Sequence, residues 1–281
     1  MKLESSIRSG YFEGRYPWSV QGNGLKSLII LDGLRTENTA PQGLALQGLV
    51  DTYKPLSLGR TIWTLGRRQN LPEGITIPEI ADDLARALEE LTREPRVVMG
   101  MGLGGAIALE LAARHPQLVR GLVLISSGPR LSEFGRSLYR RLFQLAQRRR
   151  WGSVHALLSG VLFRSRVSGF LGGLIARLFA QDLGSPLDPW DFMVVLLAEL
   201  AWDGREAVAA VRCPTLVLHG SADVLYDAKV VQAAWNQHPS ALCEIWQGLP
   251  HGLLKVDRDR VLDRVREFLL QVEPDVAPLG L

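Results

Sequence analysis

Short apolar runs alternate along this chain with segments whose apolar residues recur at helical spacing. The runs are rich in β-branched residues and predict buried strands at Ser27–Leu31, Thr61–Leu65, Arg96–Met99, Gly121–Ser126, Pro214–His219 and Ala241–Trp246. Helical spacing predicts helices at Ile77–Leu91, Ala106–Arg114, Lys229–Asn236 and Asp259–Gln271. The predicted fold is therefore α/β, a mostly parallel, doubly wound sheet whose right-handed crossovers place helices on both faces.

One long segment breaks the alternation, because residues from about 128 to 210 carry only helical patterns. We therefore predict a core formed by residues 1–127 and 211–281 and an inserted helical cap, or lid, at 128–210. The apolar residues of the cap could roof a small-molecule pocket. They are Leu138, Leu142, Leu145, Leu157, Leu158, Val161, Leu162, Phe163, Phe170, Leu171, Leu174, Ile175, Leu178 and Phe179.

The composition excludes several classes of protein. A net charge of +3 without a basic patch interleaved with aromatic residues argues against nucleic-acid binding. The N-terminal residues lack the apolar segment of a signal peptide, and no apolar run reaches eighteen residues, about the minimum for a membrane span. Cys213 and Cys243 are too few for a disulfide scaffold or a zinc motif. We expect a cytoplasmic protein that needs no metal or cofactor.

The most informative segment is Gly100-Met101-Gly102-Leu103-Gly104-Gly105, between a predicted strand and a predicted helix. Its glycine spacing departs from the dinucleotide-binding pattern at the third glycine, and it lacks the Lys-Ser/Thr of a phosphate-binding loop. Flanking glycines are typical of the G-x-S-x-G nucleophile elbow, where a strained turn exposes a serine side chain. Here Gly102 stands at the serine position and offers no oxygen.

Two further loops follow strands of the same predicted sheet. Asp223 comes after the strand ending at His219, and His251 comes after the next strand. Loops at the carboxyl ends of parallel strands are where such sheets bind ligands. From about Leu28 to Leu270 the chain resembles the α/β-hydrolase superfamily, whose chain order is nucleophile, acid and base.

The resemblance implies a role for each matching position. Asp223 matches the acid, His251 the general base and Gly102 the nucleophile, while the backbone amides of Leu34 and Leu103 match the oxyanion hole. The chain departs from the family where His-Gly often precedes the oxyanion loop, because Asp32 stands there. A carboxylate would oppose negative charge in the oxyanion hole unless it is paired, with Arg35 the candidate, or points elsewhere.

Conventional serine-hydrolase activity is not expected without a nucleophile. One hypothesis is a pocket for a small, apolar carbonyl or ester compound, with noncovalent His–Asp acid/base chemistry or binding only. A second is an ester or carbon–carbon bond hydrolase using water activated by His251, or an inactivated serine esterase. A third moves the nucleophile to Ser126 or Ser127, which lack an elbow.

A different class of function is a ligand-binding protein without turnover. The cap also carries arginines that could bind a membrane surface, although a solvated helix face is favoured: Arg136, Arg140, Arg141, Arg148, Arg149 and Arg150. The expected partner is a small-molecule substrate or ligand and not nucleic acid. A homo-oligomer is compatible with the sequence.

Overall fold

The computed structural model describes residues 7–91, 94–162, 186, 189–236 and 238–274. Its centre is an eight-stranded sheet with strand order β1-β2-β4-β3-β5-β6-β7-β8. The strands are β1 (Arg8–Phe12), β2 (Tyr16–Gln21), β3 (Lys26–Leu31), β4 (Arg60–Leu65), β5 (Arg96–Met101), β6 (Val119–Ile125), β7 (Thr215–Gly220) and β8 (Ala241–Trp246). Strands β3 to β8 pair in parallel, so their carboxyl ends meet at one edge of the sheet.

Helices cover both faces of this sheet. Within the described ranges they are α1 (Gly43–Tyr53), α2 (Ile77–Leu91), α3 (Leu103–Arg114), α4 (Glu133–Gln147), α5 (Trp151–Leu162), α6 (Trp190–Ala201), α7 (Arg205–Ala210), α8 (Ala228–Trp235), α9 (Leu253–Val256) and α10 (Arg258–Val272). One core cluster lies under α2, α3 and the helices that follow β6, and a second lies under α10. The predicted doubly wound α/β fold is confirmed.

The N-terminal part of the sheet was not predicted. Strands β1 and β2 form an antiparallel hairpin that joins β4 along β2. The turn between them holds Glu13 and Gly14, both with positive φ, which is typical of a tight hairpin. The Glu-Gly pair was the available signal, but β1 buries little apolar surface and lacks the strong pattern of the central strands.

Four described helices, α4 to α7, lie between β6 and β7, where the sequence predicts the cap. The assignment of residues 128–210 to a separate cap domain stays a prediction. Of its predicted apolar residues, Phe163, Phe170, Leu171, Leu174, Ile175, Leu178 and Phe179 lie outside the described residues. In the part of the chain that is described, no helix has the length and apolar character needed to cross a membrane.

Glycines between β5 and α3 allow the helix to start directly against the sheet. A Cβ added at Gly104 would lie 2.1 Å from the Leu31 carbonyl oxygen, and one at Gly105 would lie 2.4 Å from Ser127 Oγ. Real side chains do not tolerate such distances. The expectation that these glycines supply room for the elbow therefore has a direct steric basis.

We expect Gly104→Ala to lower the free energy of unfolding by about 3 kcal/mol or more, because the new methyl group meets immobile backbone. Gly48→Ala is the matched control in α1, where an added Cβ meets nothing within 4 Å. That control should raise the free energy of unfolding by about 0.5–1 kcal/mol, since alanine stabilises a helix interior more than glycine does. Urea unfolding of both variants gives the comparison, and equal stability of the two would contradict the steric explanation.

Candidate active site

The parallel strands bring the predicted site residues to one edge of the sheet. The chain passes from β3 to β4 on one side and then crosses to β5 on the other, so the order reverses between β3 and β5. Such a reversal opens a crevice at the carboxyl ends of the strands. Gly102 follows β5 directly at this crevice, and Asp223 and His251 stand on the loops that follow β7 and β8.

Gly102 has the strained backbone of a nucleophile elbow, with φ 49° and ψ −119°. Its amide donates to the Ile125 carbonyl, and its own carbonyl accepts from the Gly105 and Ala106 amides. A Cβ added at Gly102 would lie 3.4 Å from His251 Nε2, an ordinary van der Waals distance. The apex of the elbow therefore points at the imidazole ring without presenting a side chain to it.

Asp223 holds His251 from the far side of the ring. Asp223 Oδ2 lies 2.9 Å from His251 Nδ1, while Oδ1 accepts from the backbone amides of Leu225 and Tyr226. When Nδ1 carries the proton of the neutral ring, Nε2 is left as an acceptor facing Gly102. The structure thus brings Gly102, His251 and Asp223 together in the relative placement of a catalytic triad.

Close backbone packing brings the acid and histidine loops together. The Ala222 amide donates to the Leu249 carbonyl at 2.9 Å, and a Cβ at Gly220 would lie 2.2 Å from that same oxygen. At Gly252 an added Cβ would lie 2.1 Å from the Leu162 carbonyl oxygen at the end of α5. The loop that carries His251 is therefore packed against both the core and a helix of the predicted cap.

The buried pair changes the pKa of both groups. Burial lowers the pKa of His251, but the Asp223 charge and hydrogen bond outweigh it and leave that pKa above its ordinary value of 6.5. Burial raises the pKa of Asp223, yet the histidine outweighs it and leaves that pKa below 3.8. The Asp223 contribution to stability is lost as pH falls through its lowered pKa, and the His251 contribution is lost as pH rises through its raised pKa. The dyad therefore stabilises the fold most between the ordinary pKa values of 3.8 and 6.5, where both contributions are complete.

A mostly apolar cavity of about 220 Å³ adjoins the dyad. Gly102, His251 and the predicted oxyanion residues Leu34 and Leu103 all line it. The Leu103 amide is the first of α3 and has no carbonyl four residues earlier within that helix to bind. Side chains from the helices after β6 line the opposite side, namely Leu138, Tyr139, Leu158, Val161 and Leu162.

Asp32, the departure from the family pattern, lies with compensating partners. Its Oδ2 is 3.6 Å from an Arg35 nitrogen, and the Tyr53 hydroxyl donates to its Oδ1 at 3.4 Å. Burial raises the pKa of Asp32, which Arg35 and Tyr53 only partly counter. The Arg35 cation and the Tyr53 hydroxyl partly offset the negative charge that this carboxyl places near the Leu34 amide.

The two serines after β6 have different surroundings. Ser127 Oγ donates to the Gly102 carbonyl at 3.0 Å and so braces the elbow. Ser126 lines the cavity with a positive φ of 47°, and its buried Oγ has no hydrogen-bond partner among the described residues. Ser126 therefore remains a candidate for the alternative nucleophile, whereas the Ser127 hydroxyl is already hydrogen-bonded to the backbone of the elbow.

A second buried acid beside the dyad was not predicted. Glu199 on α6 is 1% exposed and accepts a hydrogen bond from the Tyr226 hydroxyl, and Tyr139 also faces it. Burial raises the pKa of Glu199. In the sequence, Glu199 is an acidic residue within an apolar helical run. An acidic side chain in such a run is more often exposed to solvent than buried, so the sequence did not indicate its burial.

Among the described residues, no group of three or more His, Cys, Asp or Glu side chains is arranged to hold a metal ion.

Comparison with known proteins gives a consistent family. An uncharacterized protein of Mycobacterium tuberculosis is 26% identical over 92% of this chain and 80% of its own length. The sequence signature of the alpha/beta hydrolase family matches residues 51–264.

Solved structures agree on the fold. A thermophilic esterase from Thermogutta terrifontis superposes with a TM-score of 0.72 at 20% identity, covering 95% of this chain and 97% of the esterase. The enol-lactonase from Burkholderia xenovorans LB400 gives a TM-score of 0.74 at 16% identity, covering 93% and 99%. With the family match spanning most of its length, the chain belongs to the alpha/beta hydrolase family.

Proposed function

We propose that this protein binds a small, largely apolar carbonyl or ester compound beside Gly102 and that His251 acts on it as a general base without a covalent intermediate. The observation that carries the proposal is the 3.4 Å between His251 Nε2 and a Cβ added at Gly102. The base therefore borders the space that a nucleophile side chain would occupy. A bound compound can reach the ring directly there.

The proposed reaction is proton abstraction next to a carbonyl group. The C–H bond breaks, His251 Nε2 takes the proton, and the electron pair moves onto the carbonyl oxygen as an enolate. The Leu34 and Leu103 amides would stabilise that negative charge, and Asp223 would stabilise the imidazolium. Return of the proton to carbon or oxygen completes an exchange or isomerisation with no co-reactant.

A second candidate is hydrolysis by a water molecule that His251 deprotonates. The same space beside Gly102 favours it, because a water oxygen there would lie within reach of Nε2 and could attack an ester carbonyl held at the oxyanion amides. Two structural neighbours, an esterase and an enol-lactonase, are enzymes that cleave esters or lactones, which is compatible with this candidate. The ester's alkoxide would leave with the proton that His251 took from water.

The test measures both reactions with one set of variants. In deuterated buffer, proton NMR follows exchange next to the carbonyl of small apolar ketones, and absorbance follows cleavage of p-nitrophenyl acetate. We expect the wild type to accelerate exchange and His251→Ala to lower that rate by about 10²- to 10⁴-fold, the usual contribution of a general base. Gly48→Ala, distant from the cavity, is the matched control and should retain the rate.

Each outcome decides between the candidates. Ester cleavage that depends on His251, with no exchange, would replace the first candidate by the water route. Ligand binding detected by calorimetry with neither reaction in any variant would identify a binding protein and overturn the proposal. Exchange that survives in His251→Ala would assign the base to another group.

A further inference from the structure

A second, smaller cavity of about 40 Å³ lies beside the first. The two cavities share Gly33 in their walls, and Asp32 and Arg35 line the smaller one next to it. Space of this size suits a few waters or a carboxylate group and excludes a large ligand. The smaller cavity is therefore a side compartment at the oxyanion end of the site.

Arg67 is the unusual residue of this compartment. It is 9% exposed, and its buried Nε has no hydrogen-bond partner among the described residues. Burial lowers the pKa of Arg67 to about 10, so the group remains a cation at neutral pH. A buried guanidinium nitrogen without a hydrogen-bond partner is costly, and buried charges are normally paired.

The neighbouring charges leave Arg67 as the cation available to a ligand. Arg35 lies next to Asp32 at 3.6 Å, and Arg68 is paired with Asp83 at 2.9 Å. Glu37, half-buried, also lines the cavity but makes no ion pair in the described part of the chain. The backbone carbonyl of Arg67 accepts a hydrogen bond from Asn38 Nδ2, which fixes the main chain at this position.

We propose that Arg67 is an anion-binding residue and that this compartment takes a carboxylate carried by a small ligand. A guanidinium presents parallel N–H donors whose spacing matches the two oxygens of a carboxylate. Thr64 is buried and lines the same space, and its hydroxyl is a further possible donor. Because Gly33 borders both cavities, a ligand anchored at Arg67 extends toward Gly102 and His251.

The competing explanation is that Arg67 serves as a distant counter-charge for the acids of α6. Asp191 and Glu199 both favour its charged form, yet neither comes within ion-pair distance of it. Asp191 instead accepts the backbone amides of Asn70 and Leu71. A counter-charge would stabilise the fold whether or not a carboxylate is present, whereas a binding residue acts only when the ligand is added.

Thermal unfolding and calorimetry with sodium acetate test the proposal, with sodium chloride at equal ionic strength as reference. At about ten times its Kd, acetate should raise the melting temperature of the wild type by roughly 2–3 °C. Arg67→Met should weaken acetate binding at least about tenfold, the usual effect of losing a charged hydrogen bond. Arg86→Met removes an equal charge at an exposed position that does not line the cavity and should retain binding, while Glu37→Gln should tighten it.

No acetate-dependent shift in the wild type would overturn the proposal, as would an equal shift in Arg67→Met. Equal binding of sulfate would overturn the carboxylate assignment, because it would show a site that does not discriminate between anions. Should Arg67→Met fail to fold, Arg67→Lys replaces it and should still weaken binding, because an ammonium cannot bind both oxygens in parallel. The measurement needs no turnover, so its result is independent of whether His251 catalyses a reaction.

Discussion

Gly102→Ser should convert this protein into an esterase that a phosphonate probe labels at residue 102. The elbow already has the strained backbone that a serine needs, and an added Cβ meets His251 at van der Waals distance and not in a clash. The new hydroxyl would lie beside the base and the Leu103 amide. We expect cleavage of p-nitrophenyl acetate to rise about 10²- to 10⁴-fold over the wild type.

Gly102→Ala is the matched control, because it imposes the same backbone strain and adds no nucleophile. It should remain unlabelled and as slow as the wild type. Mass spectrometry locates the probe, and an adduct on Ser126 in place of residue 102 would move the nucleophile to the end of β6. Ordinary enzymatic ester cleavage by the wild type, lost in His251→Ala, would replace proton abstraction by the hydrolytic candidate.

Asp223→Asn in the Gly102→Ser background should lower the gained activity by about 10²- to 10⁴-fold. The carboxylate both orients the imidazole through Nδ1 and stabilises its charged form. An amide that donates to Nδ1 would favour the wrong tautomer, with the proton on Nε2. Steady-state kinetics of the single and double variants measures the loss.

The pH dependence distinguishes this role from a purely structural one. Hydrolysis by Gly102→Ser requires neutral His251, so its rate should rise with pH through the raised pKa of that group, above 6.5. Without the Asp223 charge, burial dominates and lowers the pKa of His251, so the rate profile should move to lower pH. A loss of activity with an unmoved profile would contradict the electrostatic role of Asp223.

Much of the site could be predicted because its signals are local. The apolar runs that form β3, β5, β6 and β7 are mostly buried, and the run that forms β8 is partly buried at the edge of the sheet. Such short apolar runs can be recognised without knowing their distant contacts. Asp223 and His251 follow two of those strands directly, and parallel pairing places their loops at one edge of the sheet. The position of Gly102 was equally local, since its turn needs only the flanking glycines and the following helix.

The residues that sequence reasoning missed depend on contacts between distant segments. The hydrogen-bond partners of Glu199 are Tyr139 and Tyr226, which lie in different segments of the chain. Arg67 is buried because the loop after β4 meets α6 and the chain near Asn38, and nothing in the pair Arg67-Arg68 indicates that one is buried and the other ion-paired. Burial of a charged side chain is a property of the assembled core and leaves no periodic trace.

By itself, the sequence determined the parallel α/β sheet, the order of elbow, acid and histidine, and the absence of a side chain at residue 102. Each follows from the chemistry of neighbouring residues, including the turn that only closely packed glycines permit. Only the tertiary structure decided that His251 Nε2 faces the apex at Gly102, that Asp32 has Arg35 and Tyr53 beside it, and that Arg67 lies buried beside the site. These properties arise because distances between side chains on separate strands are fixed by packing of the whole core.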